Sequence, residues 1–183
     1  MAREPRIHYP GAVYHVTSRG NNRQVIFNSE ADYKRFLVIL NTVKGKVPFL
    51  IYAYCLMPNH IHLLIKVDHD PLSNIIQRIL TSYVLRFNKI YKRQGHLFQA
   101  RYHTIICDRD SYLLELVRYI HLNPVRAGLV KNPSDWKWSG HNGYVGRYDD
   151  RLLEVNPILS QLSSTSETAQ NNYLQFLKDG IKR

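Results

Sequence analysis

The sequence contains little cysteine and few acidic residues, and it has no long apolar segment. Its two cysteines, Cys55 and Cys107, lie among apolar neighbours, which predicts buried free thiols in a reducing compartment and leaves a disulfide open. No Cys-x-x-Cys pair exists, which excludes a zinc site of that type. No apolar run reaches the about 18 residues that a membrane-spanning helix needs. The first six residues lack the apolar core of a signal peptide, so we expect a cytoplasmic protein with no membrane partner.

Basic residues are abundant and unevenly distributed. The 183 residues include 25 Lys and Arg against 14 Asp and Glu, a net charge of +11. Residues 1–145 hold 20 of these basic and 9 of these acidic residues, and therefore the whole net charge. This excess predicts a nucleic-acid partner, and the alternative is a basic surface with no specific partner. The predicted DNA-contacting residues are Arg19, Arg23, Arg78, Arg86, Lys89, Lys92, Arg93 and Arg101.

The order of the predicted elements indicates the fold. Runs rich in β-branched and aromatic residues predict strands at 12–19, 49–57, 60–67 and 102–107. Apolar residues at helical spacing predict helices from a Ser29 cap to Gly45, from Asp70 to about residue 91, and from Ser111 to Leu122. Asn123-Pro124 is expected to end the last of these.

This β-α-β-β-α-β-α order predicts an α+β fold, namely a ferredoxin-like antiparallel sheet with helices on one face, followed by an additional helix. We assign residues 1–145 to this domain. Residues 146–183 form a C-terminal tail of unknown role, with a short helix predicted at 173–178.

Two histidines alternate with apolar residues on the third predicted strand. His60 and His62 lie on one face, while Ile61, Leu63 and Ile65 lie on the other. Residues two apart on a strand are about 6.7 Å apart, so two neutral imidazoles can converge on one metal ion. The alternative is a polar edge on an amphipathic strand.

The last predicted helix carries two residues that could form one site with these histidines. Tyr119 and Asn123 are four residues apart and share one helical face, and Tyr112 lies on that face as well. Tyrosine can attack phosphorus and form a phosphotyrosine, and a divalent cation held by two histidines and an amide oxygen could polarise the phosphate. The alternative is that Tyr119 is one of 13 tyrosines packed in the protein and that Asn123 is an ordinary helix end. His121 points away from Tyr119 and is expected to face solvent.

These motifs resemble those of a known family. His-Ile-His at 60–62 resembles the His-hydrophobe-His (HUH) motif of single-tyrosine transposases, which include insertion-sequence enzymes. Tyr-Ile-His-Leu-Asn-Pro-Val at 119–125 is similar to a segment of their REP-associated tyrosine transposase branch, as are residues 14–21, 95–102 and 136–139. The resemblance extends over about residues 8–140.

The resemblance implies a transposase and endonuclease that cleaves and rejoins single-stranded DNA near hairpins through a 5′-phosphotyrosine intermediate. It implies Tyr119 as the nucleophile, His60 and His62 as metal ligands, Asn123 as a third ligand, and Mg²⁺ or Mn²⁺ as cofactor. Insertion-sequence relatives more often have Gln where this chain has Asn123. The implied setting is the prokaryotic cytoplasm in association with the nucleoid, with a homodimer and a monomer both open. The alternatives are a domesticated, non-catalytic nucleic-acid-binding protein of the same fold and a hydrolytic metallonuclease that forms no adduct.

Overall fold

The computed structural model describes residues 8–107 and 110–181, so the first six residues, on which the signal-peptide prediction depends, lie outside it. The strands are β1 (Val13–Arg19), β2 (Phe49–Met57), β3 (His60–Val67) and β4 (His103–Cys107). The helices are α1 (Glu30–Lys44), α2 (Leu72–Ile90), α3 (Asp110–Arg126), α4 (His141–Tyr144), α5 (Asn156–Leu159) and α6 (Ser166–Ile181). No described helix is both long and apolar enough to cross a bilayer.

The four strands form one antiparallel sheet in the order β2-β3-β1-β4. This is the strand order of the ferredoxin-like fold, and the predicted fold class is confirmed. The β2–β3 hairpin is almost entirely buried, which agrees with its continuous apolar sequence. Within the described part of the chain, Cys55 and Cys107 form no disulfide. Cys55 is buried as predicted, whereas Cys107 is partly exposed.

Helix α1 begins where its sequence predicts. Ser29 and Asp32 form a capping box, in which each side chain satisfies a backbone amide at the start of the helix. The buried face of α1 includes Tyr33, Phe36 and Leu40, and α1 packs beside α2. Helix α2 begins at Leu72 with Pro71 at its N-cap, two residues after the predicted start at Asp70.

Helix α3 continues past the predicted stop at Asn123-Pro124, so that boundary prediction is wrong. A proline inside a helix removes one backbone donor, but it leaves later hydrogen bonds intact. The Ala127 amide still donates to the Asn123 carbonyl at 2.9 Å, and the helix ends before Gly128, which has φ +69°. A glycine at positive φ is a common residue after a helix terminus.

The C-terminal residues pack on the back of α3. Helix α6 contains the segment predicted as a short helix at 173–178, and it contacts α3 directly. The Tyr173 hydroxyl lies 2.7 Å from His121 Nδ1 and 3.0 Å from His141 Nδ1, and all three residues are buried. The prediction that His121 faces solvent is therefore wrong, because α6 covers that side of α3. The division into a domain and a tail at residue 145 stays a prediction.

Candidate active site

The side chains of His60 and His62 lie together on the face of the sheet that α3 crosses. Their ring centroids are 4.9 Å apart and their planes are nearly perpendicular. The alternating residues Ile61 and Leu63 are fully buried on the opposite face. Burial of that apolar face fixes the register of β3, so both imidazoles are directed toward α3.

Helix α3 places Tyr119 against these histidines. The Tyr119 ring centroid lies 5.7 Å from that of His62 and 5.9 Å from that of His15 on β1, in edge-on arrangements. The Tyr119 side chain is 41% exposed, so a ligand can approach it from solvent. The structure thus brings the candidate nucleophile and the two candidate metal ligands into one site.

A neighbouring histidine holds the ring of His62. His15 Nε2 lies 3.0 Å from His62 Nδ1 in a buried contact, and Thr17 Oγ1 lies 3.4 Å from the same atom. Thr17 is paired with His62 in the β1–β3 ladder, which places the two side chains on one face. The other ring nitrogen, His62 Nε2, is buried and has no hydrogen-bond partner in the described part of the chain.

A side-chain amide orients His60. The Oδ1 atom of Asn59 lies 2.7 Å from His60 Nδ1, while its Nδ2 donates to the Arg23 carbonyl at 3.3 Å. Because Asn59 presents an acceptor, His60 Nδ1 carries the hydrogen, and the lone pair of the neutral ring is on Nε2. A ligating histidine usually donates its second ring N–H in this way.

Both candidate ligands are neutral at pH 7. Burial, together with the charge of Arg19, lowers the pKa of His60 to about 4. Burial lowers the pKa of His62 well below its usual value, with further contributions from His60, His15 and Arg19. A metal ion binds the neutral imidazole, so neither ring has to lose a proton before it can bind a cation.

The donor set fits a divalent cation in part. His62 Nε2 is a buried nitrogen that has no partner within residues 8–107 and 110–181, as expected of a ligand position, and His60 has the matching tautomer. Asn123, the predicted third ligand, donates from Nδ2 to the Tyr119 carbonyl at 2.7 Å within its own helix. Among the residues that the structure describes, no group of three or more His, Cys, Asp or Glu side chains could hold a metal. The two histidine nitrogens fit a ligand role, and the bond of Asn123 to the Tyr119 carbonyl does not use Oδ1, the atom that would ligate a cation.

Several of the predicted DNA-contacting residues lie at the histidine end of the sheet. Arg19 is paired with His60 in the β1–β3 ladder, and its carbonyl accepts a hydrogen bond from Gln99, two residues before Arg101. The guanidinium of Arg93 donates to Gln24 at 2.7 Å, next to the exposed Arg23. Strand β1 ends at Arg19, and the loops at 20–24 and 91–101 carry Arg23, Arg93 and Arg101 to the same rim. We call these four arginines the basic rim.

The remaining predicted DNA contacts lie elsewhere. Arg78 and Arg86 line a cavity of about 720 Å³ between α1 and α2, in the helical layer rather than beside Tyr119. Lys89 and Lys92 are exposed near the end of α2. The structure therefore distributes the predicted basic residues over more than one surface.

Two residues of the site have no assigned role in the sequence-based prediction. His15 is the hydrogen-bond partner of His62, and the guanidinium carbon of Arg126 lies 5.6 Å from the centroid of the Tyr119 ring. Strand periodicity places His15, Thr17 and Arg19 on one face of β1. However, only the pairing of β1 with β3 shows that these side chains lie on the same face of the sheet as His62.

Comparisons with known proteins identify the family of the chain. A family model described as IS200-like transposase matches residues 8–123. A Haemophilus influenzae protein assigned to the REP-associated tyrosine transposases is 30% identical over 103 residues, which cover 50% of this chain and 58% of that protein. This chain thus spans less than two thirds of that relative's length.

Two further matches extend over more of the chain. The REP-associated tyrosine transposase of Escherichia coli is 27% identical over 147 residues, which cover 75% of this chain and 80% of that protein. A solved structure of a REP-associated tyrosine transposase bound to a REP hairpin has a TM-score of 0.68 and 23% identity, and covers 84% of this chain and 98% of that one. At 23% identity, the likeness to this solved structure shows a shared fold and no more.

Proposed function

Because this chain belongs to the IS200-like transposase family, we propose that it cleaves and rejoins single-stranded DNA through a covalent bond between Tyr119 and a 5′-phosphate. The family resemblance read from the sequence is confirmed, whereas the chemistry of this chain is our proposal. One observation carries it: the exposed Tyr119 ring lies against His62, whose Nε2 is buried and has no hydrogen-bond partner among the described residues.

In the proposed reaction, the Tyr119 hydroxyl oxygen attacks the phosphorus of a phosphodiester. A bond forms between this oxygen and phosphorus while the bond from phosphorus to the 3′-oxygen breaks. The phenol loses its proton, and the leaving 3′-oxygen gains one to become a 3′-hydroxyl. Attack by a 3′-hydroxyl on the phosphotyrosine reverses these steps and rejoins the DNA.

We propose Mg²⁺ or Mn²⁺ as the cofactor, held by His60 and His62 through their Nε2 atoms. When bound, the cation would polarise the phosphate oxygens and stabilise the negative charge of the transition state. We propose Asn123 as the third ligand through Oδ1, since its bond to the Tyr119 carbonyl uses only the amide nitrogen. Asn59 and His15 would hold the two imidazoles in their ligating orientations.

We propose that the substrate is a hairpin-forming single strand whose backbone follows the basic rim. The excess of basic residues and the REP hairpin in the structurally similar transposase both support this choice. We place the reaction in the prokaryotic cytoplasm, on nucleoid DNA. A homodimer stays a prediction; the contact of Tyr119 with His62 of the same chain supports a site complete in one protomer.

The test is a covalent-adduct assay with Mn²⁺ and labelled single-stranded hairpins. Wild-type protein should form a labelled protein–DNA species that survives denaturation, and Tyr119→Phe should form none. Tyr9→Phe is the matched control, because Tyr9 is an exposed tyrosine outside the site and its loss should not affect the adduct. Cleavage without an adduct would favour the hydrolytic nuclease, and binding without cleavage would favour the non-catalytic module.

A further inference from the structure

A cavity of about 330 Å³ opens beside Tyr119, between α3 and the strands β1 and β4. Its volume is within the range of small-ligand sites. Neither the metal ligands His60 and His62 nor the basic rim lines it. Its lining includes the aromatic and aliphatic side chains of His15, Ile105, Tyr112, Leu116 and Tyr119, together with one acidic and two basic side chains.

The lining is largely aromatic and aliphatic, although the cavity is open to solvent. Tyr112 is 40% exposed and Ile105 is 43% exposed, and both border the cavity with Tyr119. Tyr112 and Tyr119 are seven residues apart, so their positions on α3 are about 10.5 Å apart along the helix axis. Leu116 lies between them on the same face and is buried. An exposed apolar group in a concave site commonly marks a ligand-binding surface.

Three charged side chains line the cavity, namely Glu115, Arg118 and Arg126. Glu115 pairs with the guanidinium of Arg118, so their charges largely offset each other. The aromatic and aliphatic remainder of the lining suits a flat, neutral group. The guanidinium of Arg126 lies over the Tyr119 ring, where it can attract the backbone of a strand whose base enters the cavity.

We propose that this cavity binds the base of a nucleotide next to the phosphate that Tyr119 attacks. This inference depends on the proposed function, because it takes the position of the scissile phosphate from the role of Tyr119. A flat base can stack on an aromatic ring in a sequence-tolerant way, and an open cavity beside the nucleophile allows the base to leave its neighbours in the strand. Holding that base would position the adjoining phosphodiester for attack.

The test measures the coupling between Tyr112 and single bases of the DNA. The probe is a fluorescent hairpin with single-stranded arms of about ten nucleotides, within the length range of single-strand sites. An abasic residue is moved through the arms one position at a time. Affinity is measured by anisotropy with Tyr119→Phe, which keeps the ring but cannot form an adduct, and with the double variant Tyr119→Phe/Tyr112→Ala.

One abasic position next to the cleavage site should weaken binding to Tyr119→Phe on the order of tenfold, the scale of one lost base–aromatic stack. The same position should have no further effect on the double variant. Tyr9→Ala on the Tyr119→Phe background is the matched control, since Tyr9 is an exposed tyrosine outside the cavity, and it should preserve the abasic effect. Tyr112→Leu is a second variant, and a thermal melt of each protein verifies folding.

Equal abasic effects in the two proteins at every position would overturn the base-binding cavity. The wild-type adduct assay, run in parallel, separates this outcome from failure of the proposed function. An adduct without a coupled base contradicts only the cavity. A coupled base without an adduct contradicts only the nucleophile and shows that the cavity binds a base.

Discussion

His15 and His62, on neighbouring strands, share a buried hydrogen bond of 3.0 Å between His15 Nε2 and His62 Nδ1. Only one of these nitrogens can carry the hydrogen. For His62 to offer the Nε2 lone pair to a cation, its Nδ1 must donate and His15 Nε2 must accept. Burial also lowers the pKa of His15 to about 4, with a contribution from His103, so His15 can accept this bond as a neutral ring at pH 7.

We predict that His15→Phe lowers Mn²⁺ affinity about 10- to 100-fold, the usual effect of removing a partner that orients a metal ligand. Phenylalanine fills the space of the imidazole but cannot accept a hydrogen bond. Calorimetric titration of the folded protein with Mn²⁺ measures the effect independently of cleavage. His69→Phe is the control, because His69 is highly exposed and lies outside the site. An unchanged Mn²⁺ affinity in His15→Phe would contradict a role for His15 in orienting His62.

The second prediction concerns Arg19 at the basic rim. Arg19→Ala should weaken binding of single-stranded DNA and reduce the salt slope of the binding constant by about 0.7, the contribution of one phosphate contact. Anisotropy titrations over a range of salt concentrations measure this slope. Arg78→Ala is the matched control, since Arg78 lines the α1–α2 cavity, and it should leave the slope unchanged. A larger effect of Arg78→Ala would place the strand on the helical layer instead.

The placement of the histidine pair was predictable because strand periodicity and burial act on the same residues. Ile61 and Leu63 must be covered, so His60 and His62 must lie together on the other face. The capping residues Ser29 and Asp32 fix the start of α1 through local hydrogen bonds, which a sequence also displays directly. These features depend on neighbours in the chain.

Features that depend on distant partners were not predictable. The role of His15 follows from the register of β1 with β3, which a single sequence does not specify. The burial of His121 depends on α6, some fifty residues further along the chain, packing against the back of α3. Arg78 and Arg19 are likewise separated because one lies in the helical layer and the other in the sheet. The net charge of a sequence does not indicate the layer in which each basic residue lies.

The third prediction concerns the pH dependence of stability, through the buried histidines between α3, α4 and α6. Burial lowers the pKa of His141 to about 4, with a contribution from Arg147, and lowers that of His121 well below its usual value. An unfolded histidine has a pKa near 6.5, so between about pH 6.5 and 4 the unfolded chain binds more protons than the folded one. Stability should therefore be greatest above pH 6.5 and fall as the pH drops toward 4, by up to about 1.4 kcal/mol per pH unit for each such histidine.

His141→Gln tests this prediction because glutamine can bond to the Ser134 and Tyr173 hydroxyls, which contact His141, but it does not titrate. The slope of the unfolding free energy against pH, measured by urea denaturation from pH 5 to 6.5, should decrease by about 1 kcal/mol per pH unit, since the unfolded histidine is only partly protonated near pH 6.5. His69→Gln, at an exposed position, should leave the slope unchanged. Equal slopes for His141→Gln and wild type would mean that His141 has the same pKa in the folded protein and in the unfolded chain. Protonation of His141 would then not weaken the contacts of α6 with α3 and α4.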